Sequence, residues 1–168
     1  MQLIKPNKQH GFTLIELLIA LVVVAIGALG HAKMQINSMR DAQKASFAQS
    51  SNIALHDLAQ RMRAMPNAAL NDEFTYTNLS DGSAPTSAKN CNADGISCNR
   101  SEFALFELAD WYDDIDANLP DPRFAITRTN SLFTLTLIWD ANKSGSDTSS
   151  CDATGTTNQC GVVNIWIR

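Results

Sequence analysis

Nineteen residues from Phe12 to Gly30 hold a single ionisable side chain, Glu16, and no other feature of the chain restricts its fold and location so much. A helix rising about 1.5 Å per residue makes this run roughly 28 Å long, close to the hydrocarbon thickness of a bilayer. That is longer than the apolar segment of an ordinary secretory signal, about 7 to 15 residues. The residues ahead of it carry Lys5 and Lys8 and no acid. A basic flank of this kind stays in the cytoplasm, so the pattern predicts one membrane span at 12–30 and export of everything after His31.

Glu16 is out of place in such a span, because a carboxylate in hydrocarbon costs about 2.5 kcal/mol or more and needs a counter-charge. No Lys or Arg lies within the run. A cut after Gly11 would supply the cation, since the new ammonium on Phe12 lies one helical turn from Glu16. Burial favours that pair, within one chain or between neighbours.

A short basic leader, Gly11 before the cut, Phe12 after it, Glu16 as the fifth residue of the cut chain, and an apolar helix together resemble the class III signal of type IV pilins and of type II secretion pseudopilins. The resemblance implies that a prepilin peptidase cuts between Gly11 and Phe12 and methylates the Phe12 nitrogen. It also makes Glu16 the carboxylate that guides docking into a growing filament. The competing reading is an uncut anchor with an incidental Glu. The expected organisation is a cytoplasmic leader at 1–11, a transmembrane and filament-core helix at 12–30, its periplasmic continuation at 31–65, and a globular head at 66–168.

Residues 66–168 carry six bases against fourteen acids, a balance of −8 within a total of −4. That sign repels nucleic-acid backbones, so the head is not expected to bind DNA or RNA directly. About 100 residues are enough for one hydrophobic core.

No Pro occurs between Phe12 and Met65, so the helix is expected to run on from the membrane until Pro66 stops it. Leu55, Leu58, Met62 and Met65 form one apolar stripe, with Asp57, Gln60, Arg61 and Arg63 on the surface; the stripe is expected to pack on a sheet. Gly27 and Gly30 suit the close approach of a neighbouring membrane helix. From Asn67 to Arg100 the composition predicts a long surface connection with a short strand near Phe74 to Thr77. Asn99 and Glu102 have the spacing of a cap pair, and Leu105, Leu108, Tyr112, Ile115 and Leu119 keep helical spacing up to Pro120. Phe124 to Thr129 and Leu132 to Trp139 alternate as a hairpin, and Val162 to Arg168 reads as a last strand. The order predicts an α+β fold, with an antiparallel sheet laid against a long N-terminal helix.

Export makes the compartment oxidising, so Cys91, Cys98, Cys151 and Cys160 are expected to form disulfides. Three connectivities exist; 91 with 98 and 151 with 160 is favoured, because short closures order segments that have little other structure. Zinc is the competing reading, against which stand spacings of six and eight residues with no nearby His. Asp140, Asn142 and Ser144 begin like a calcium loop, but Cys151 stands where a bidentate Glu is needed, so no metal is assigned. Asp110, Asp113, Asp114 and Asp116 read as a solvated acidic face, with a cation or a basic partner as the alternative. His10, His31 and His56 lie far apart, and no nucleophile and base arrangement or phosphate loop can be assembled. Neither an enzyme nor a cofactor is expected.

The stretch Asp57-Leu58-Ala59-Gln60-Arg61-Met62-Arg63-Ala64-Met65-Pro66 is similar to the "DxAxRMRxxP" helix ending of the PilV family of minor pilins. Trp111, Leu119-Pro120 and Leu135-Thr136-Leu137-Ile138-Trp139-Asp140 resemble later blocks of that family, while the connector and both Cys loops match no pattern. A Pro that many major pilins carry near the membrane exit is absent, Lys33 standing thereabouts. The resemblance implies a low-abundance subunit that joins other minor pilins, the major pilin and an inner-membrane assembly platform, primes filament growth and ends at the tip beside an adhesin. The rivals are a type II secretion pseudopilin, and an exported binding protein that uses the helix only as an anchor.

Overall fold

The computed structural model describes residues 13–145, 149–151 and 158–168. The chain divides into two compact units, Met1–Ala42 and Gln43–Arg168. Helix α1 (Leu14–Ala64) contributes to both. Of the first unit, the described residues are helical after Thr13 and solvent-exposed throughout. Leu14, Ile15, Leu17, Leu18, Val23 and Ile26 are each more than half exposed, so this helix is long and apolar enough to cross a membrane and finds no apolar partner in its own unit.

The second unit is an α+β body. Its elements after α1 are α2 (Pro66–Leu70), β1 (Tyr76–Thr77), α3 (Arg100–Asn118), β2 (Arg123–Thr129), β3 (Leu132–Trp139) and β4 (Gln159–Trp166). The four strands form one antiparallel sheet in the order β1-β2-β3-β4. The register sets Phe124, Ile126, Phe133, Leu135, Leu137 and Ile165 on one face, and all are buried. Against them pack Leu55, Leu58, Ala59 and Met62 of α1 and Leu108, Trp111, Tyr112 and Ile115 of α3. Both helices bury the apolar stripes that their three and four residue spacing creates. Phe124 sits at the centre, with its ring 5.1 Å from Trp111, 5.3 Å from Tyr76 and 5.7 Å from Tyr112.

The helix ends differ in an informative way. Asn99 accepts a hydrogen bond from the Glu102 N–H while Glu102 accepts one from the Asn99 N–H, a complete capping box at the spacing read from sequence. Pro66 does more than stop α1. The helix ends at Ala64, Met65 takes φ −125° and ψ 62°, and Pro66 opens α2. The proline ring disfavours helical backbone at the residue before it, while its missing N–H suits the first position of a new helix. Hence the expected connector begins with a helical turn.

Two smaller corrections concern strands. The strand expected near Phe74 is only Tyr76–Thr77, because Phe74 is buried in the core, and the buried Asn78 continues the pairing with its side chain. Asn78 Oδ1 accepts from the Phe124 N–H at 2.7 Å, and its own N–H donates to the Phe124 carbonyl at 3.1 Å. The last strand begins at Gln159, three residues earlier than expected, and ends at Trp166. The β2–β3 turn is the pair Asn130-Ser131, with Asn130 at φ 59°, a left-handed conformation that Asn tolerates well.

Cys91 is bonded to Cys98, and Cys151 to Cys160. The first bridge closes part of the connector, and the second ties the start of β4 to the loop before it.

Candidate functional site

The residues at the start of α1 carry the chemistry on which the sequence reading turns. Gly11, Phe12 and the leader lie outside the described residues, as does the ammonium expected to pair with Glu16. Thr13 and Glu16 are described, and they form a second capping box. Glu16 Oε2 accepts from the Thr13 N–H at 3.0 Å and from Thr13 Oγ1 at 3.0 Å. The Glu16 N–H points back to Thr13 Oγ1 at 3.4 Å. The sequence signal for this box is Thr13-Leu14-Ile15-Glu16, a T-x-x-E spacing that the pairing of Glu16 with a cation does not use.

This geometry gives Glu16 a local function. The first N–H groups of a helix lack partners within it, and hydrocarbon supplies none. A carboxylate at the third position satisfies one of them and lies in the favourable field of the helix N-terminus. All three hydrogen bonds reach Oε2 or Thr13, and none of them engages Oε1.

Further along α1, His31 and Gln35 join through their Nε2 atoms at 2.9 Å. Nothing lies within 4 Å of where a Cβ would stand at Gly27 or Gly30, so neither glycine serves packing within the chain.

In the second unit the charged residues are organised around Arg61. Its guanidinium donates to Asp57 at 2.8 Å, Glu107 at 2.9 Å and Asp110 at 2.8 Å. The side chain is only 20% exposed. Burial works against its charge, but the hydrogen bonds of Asp110 and Asp57 and the charges of Asp57 and Glu107 outweigh that, so its pKa is raised further. Arg61 was expected on the surface but is largely covered, joining α1 to α3; Asp110, though it bonds Arg61, is exposed as expected, as are Asp113, Asp114 and Asp116. Beside the cluster is an open groove of about 450 Å³, lined by Ile53, Ala54, Asp57, Arg61, Trp111 and Ile115 among others. The indole N–H of Trp111 donates to the Ala54 carbonyl at 2.8 Å, a second tie between the two helices.

The Asp140, Asn142 and Ser144 segment uses its carboxylate for the loop itself. Asp140 is 2% exposed. Its Oδ1 accepts from the Asn142 N–H and from Ser144 Oγ, both at 3.2 Å, and Oδ2 accepts from the Gly145 N–H at 2.7 Å. Its own N–H donates to the Pro120 carbonyl at 2.9 Å. Donors therefore converge on Asp140 where a calcium loop would aim oxygens at a cation. Among the described residues no group of three or more His, Cys, Asp or Glu is arranged to hold a metal.

Comparison with known proteins gives one match. A profile of the prokaryotic N-terminal methylation motif matches residues 6–30. No curated protein and no solved structure matches the chain. The matched residues contain Gly11, Phe12, Thr13 and Glu16 and all of the apolar run from Phe12 to Gly30. Together with the long apolar helix and the α+β unit, the motif indicates a type IV pilin-like or pseudopilin protein with a helix suited to membrane anchoring.

Proposed function

We propose that this protein is a minor pilin that primes type IV pilus assembly with other minor pilins and is carried to the pilus tip. The observation that carries the reading is the methylation motif at 6–30, with Glu16 inside it. Prepilin peptidase cuts between Gly11 and Phe12 and methylates the Phe12 nitrogen. The protein is held in the bacterial inner membrane by one span, with residues 66–168 in the periplasm, until the assembly platform draws it into a filament with the major pilin.

The chemistry at Glu16 supports this sequence of events. Before assembly, the Thr13 bonds lower the cost of holding a carboxylate in hydrocarbon. The carboxylate then pairs with the Phe12 ammonium of its own chain or of a neighbour, and pairing charges out of water favours association over isolation. Gly27 and Gly30 leave room for neighbouring helices. The PilV-like segments in α1, α3 and β3 favour a minor over a major pilin, and twitching motility, adhesion through a tip adhesin and DNA uptake follow as outputs of the filament.

The same motif also serves pseudopilins, so the test must separate two machines. In a deletion strain complemented with wild type or Glu16→Ala, sheared surface pili and a secreted enzyme are measured together. Pili lost and restored only by wild type support the minor pilin. Normal pili with lost secretion assign the protein to a type II secretion system, and no effect on either leaves an anchored binding protein. A mature chain beginning at Met1 instead of Phe12 would sink both pilin readings.

A further inference from the structure

The sheet turns one face to the helices, and the register across β2, β3 and β4 arranges the residues of its other face in rows. Thr127, Thr134 and Asn164 form one row, and Leu132 and Trp166 stand together in the next. Thr136 and Val162 make the row on the far side of Asn164. Side chains alternate along a strand, so all of these lie opposite the buried Ile126, Phe133, Leu135 and Ile165. None carries a charge, although residues 66–168 hold fourteen acids against six bases.

Trp166 dominates this face. Of the three tryptophans, Trp111 and Trp139 are buried, while Trp166 is 65% exposed. It stands at the end of β4 beside the Asn130-Ser131 turn, where the Ile167 N–H donates to the Ser131 carbonyl at 3.1 Å and holds the strand end in place. In the adjoining row Thr134 Oγ1 donates to Asn164 Oδ1 at 2.8 Å. That bond engages the amide oxygen, so Asn164 presents its Nδ2 as a donor, and the Thr134 hydroxyl keeps the capacity to accept.

We propose that Trp166, Asn164 and Thr134 form a binding site for a neutral oligosaccharide, with one pyranose ring stacked on the indole. The C–H groups on one face of a pyranose are apolar and slightly positive, and they suit the negative face of an aromatic ring. Ring hydroxyls donate and accept, which answers the donor on Asn164 and the acceptor on Thr134 side by side. Thr127 continues the polar row one strand further, about 4.8 Å on, in the direction a second sugar would take. An acidic sugar would find no base in these rows and would approach a body of its own sign. Size separates a sugar from a protein partner. Three strands about 4.8 Å apart and the length of 162–166 at about 3.4 Å per residue make a patch of roughly 200 Å², whereas a stable protein interface takes about 800 Å² from each side. The proposal does not depend on the pilin reading, and its failure would leave the methylation motif and the assembly test untouched.

The test uses the full-length protein in a detergent whose headgroup is not a sugar, and reads acrylamide quenching of tryptophan fluorescence, which reaches Trp166 and spares the two buried indoles. Neutral oligosaccharides of glucose, galactose and N-acetylglucosamine are added, sialylated ones beside them, and purified major pilin in a separate arm. At least one neutral oligosaccharide is expected to protect Trp166 from the quencher. Titration of that sugar by saturation-transfer NMR should show binding weakened about tenfold in Trp166→Ala and about fivefold in Asn164→Ala, and largely restored in Trp166→Phe. Ile96→Ala, which removes an exposed apolar side chain off the sheet, should change nothing. Protection by no neutral sugar, stronger protection by sialylated ones or by the pilin, or equal binding in Trp166→Ala would overturn the proposal.

Discussion

Arg61 serves three carboxylates with one guanidinium, and removing it leaves Glu107 half-buried beside Asp57 and Asp110 without a counter-charge. Because the cluster is partly exposed, the loss should be smaller than for a fully buried pair. Arg61→Ala is expected to destabilise the second unit by about 1 to 3 kcal/mol. Urea unfolding of the full chain in detergent, followed by tryptophan fluorescence, measures it, and no change would mean that the carboxylates reach water freely.

Glu102 behaves differently, because it acts through its charge at a helix start. Its pKa is lowered, first by the hydrogen bond from Lys89 and then by the Asn99 N–H, against a smaller opposing effect of burial. A carboxyl whose folded pKa lies below its unfolded value stabilises at pH above that unfolded value. The contribution disappears as pH falls through the folded one. The protection of the Asn99 amide, taken relative to its intrinsic exchange rate at each pH, should therefore fall between neutral pH and about pH 3, while Glu102→Gln leaves it low at both. Glu16→Ala tests the other capping box: helicity of α1 should persist in micelles, since one cap is worth only about 1 kcal/mol, so a loss of assembly would belong to the carboxylate.

At the scale of elements, α1 comes close to β4 at Gly161. A Cβ there would stand 2.8 Å from Leu55 Cδ1. Leu55 is 1% exposed and has little room to withdraw. Gly161→Val is expected to cost about 1 to 3 kcal/mol by overpacking, read as a lower urea midpoint at unchanged slope. The glycine thus sets how near α1 lies to β4. Its neighbours Cys160 and Val162 gave no hint of this, because the constraint comes from a side chain more than 100 positions away in the sequence. By contrast, the capping box of α3 and the Asn130-Ser131 turn lie within a few residues of their own signals, and both were legible.

The molecule as a whole joins a unit with a buried apolar core to a helical stretch, 14–42, none of whose residues is buried. Residues Leu14 to Leu29 expose nearly every large side chain. Exposed apolar surface of that extent calls for lipid or another helix. The full chain is therefore expected to stay with the membrane pellet through alkaline carbonate and to enter the detergent phase on partition. Recovery in the aqueous phase would remove the basis for a spanning helix.

The sequence alone determined the long apolar helix with its one carboxylate, the N-terminal methylation motif, and the helix and hairpin of the second unit. These depend on periodicity, caps and turns, which act between residues a few positions apart. Glu16 stands out in the sequence by its cost in hydrocarbon, and the T-x-x-E spacing from Thr13 carries the signal of its capping bond. Tertiary structure decided the rest. Arg61 meets Glu107 across 46 positions, Asn78 meets Phe124 across 46, and Trp111 meets Ala54 across 57. No local pattern encodes which partners a fold will bring together over such distances.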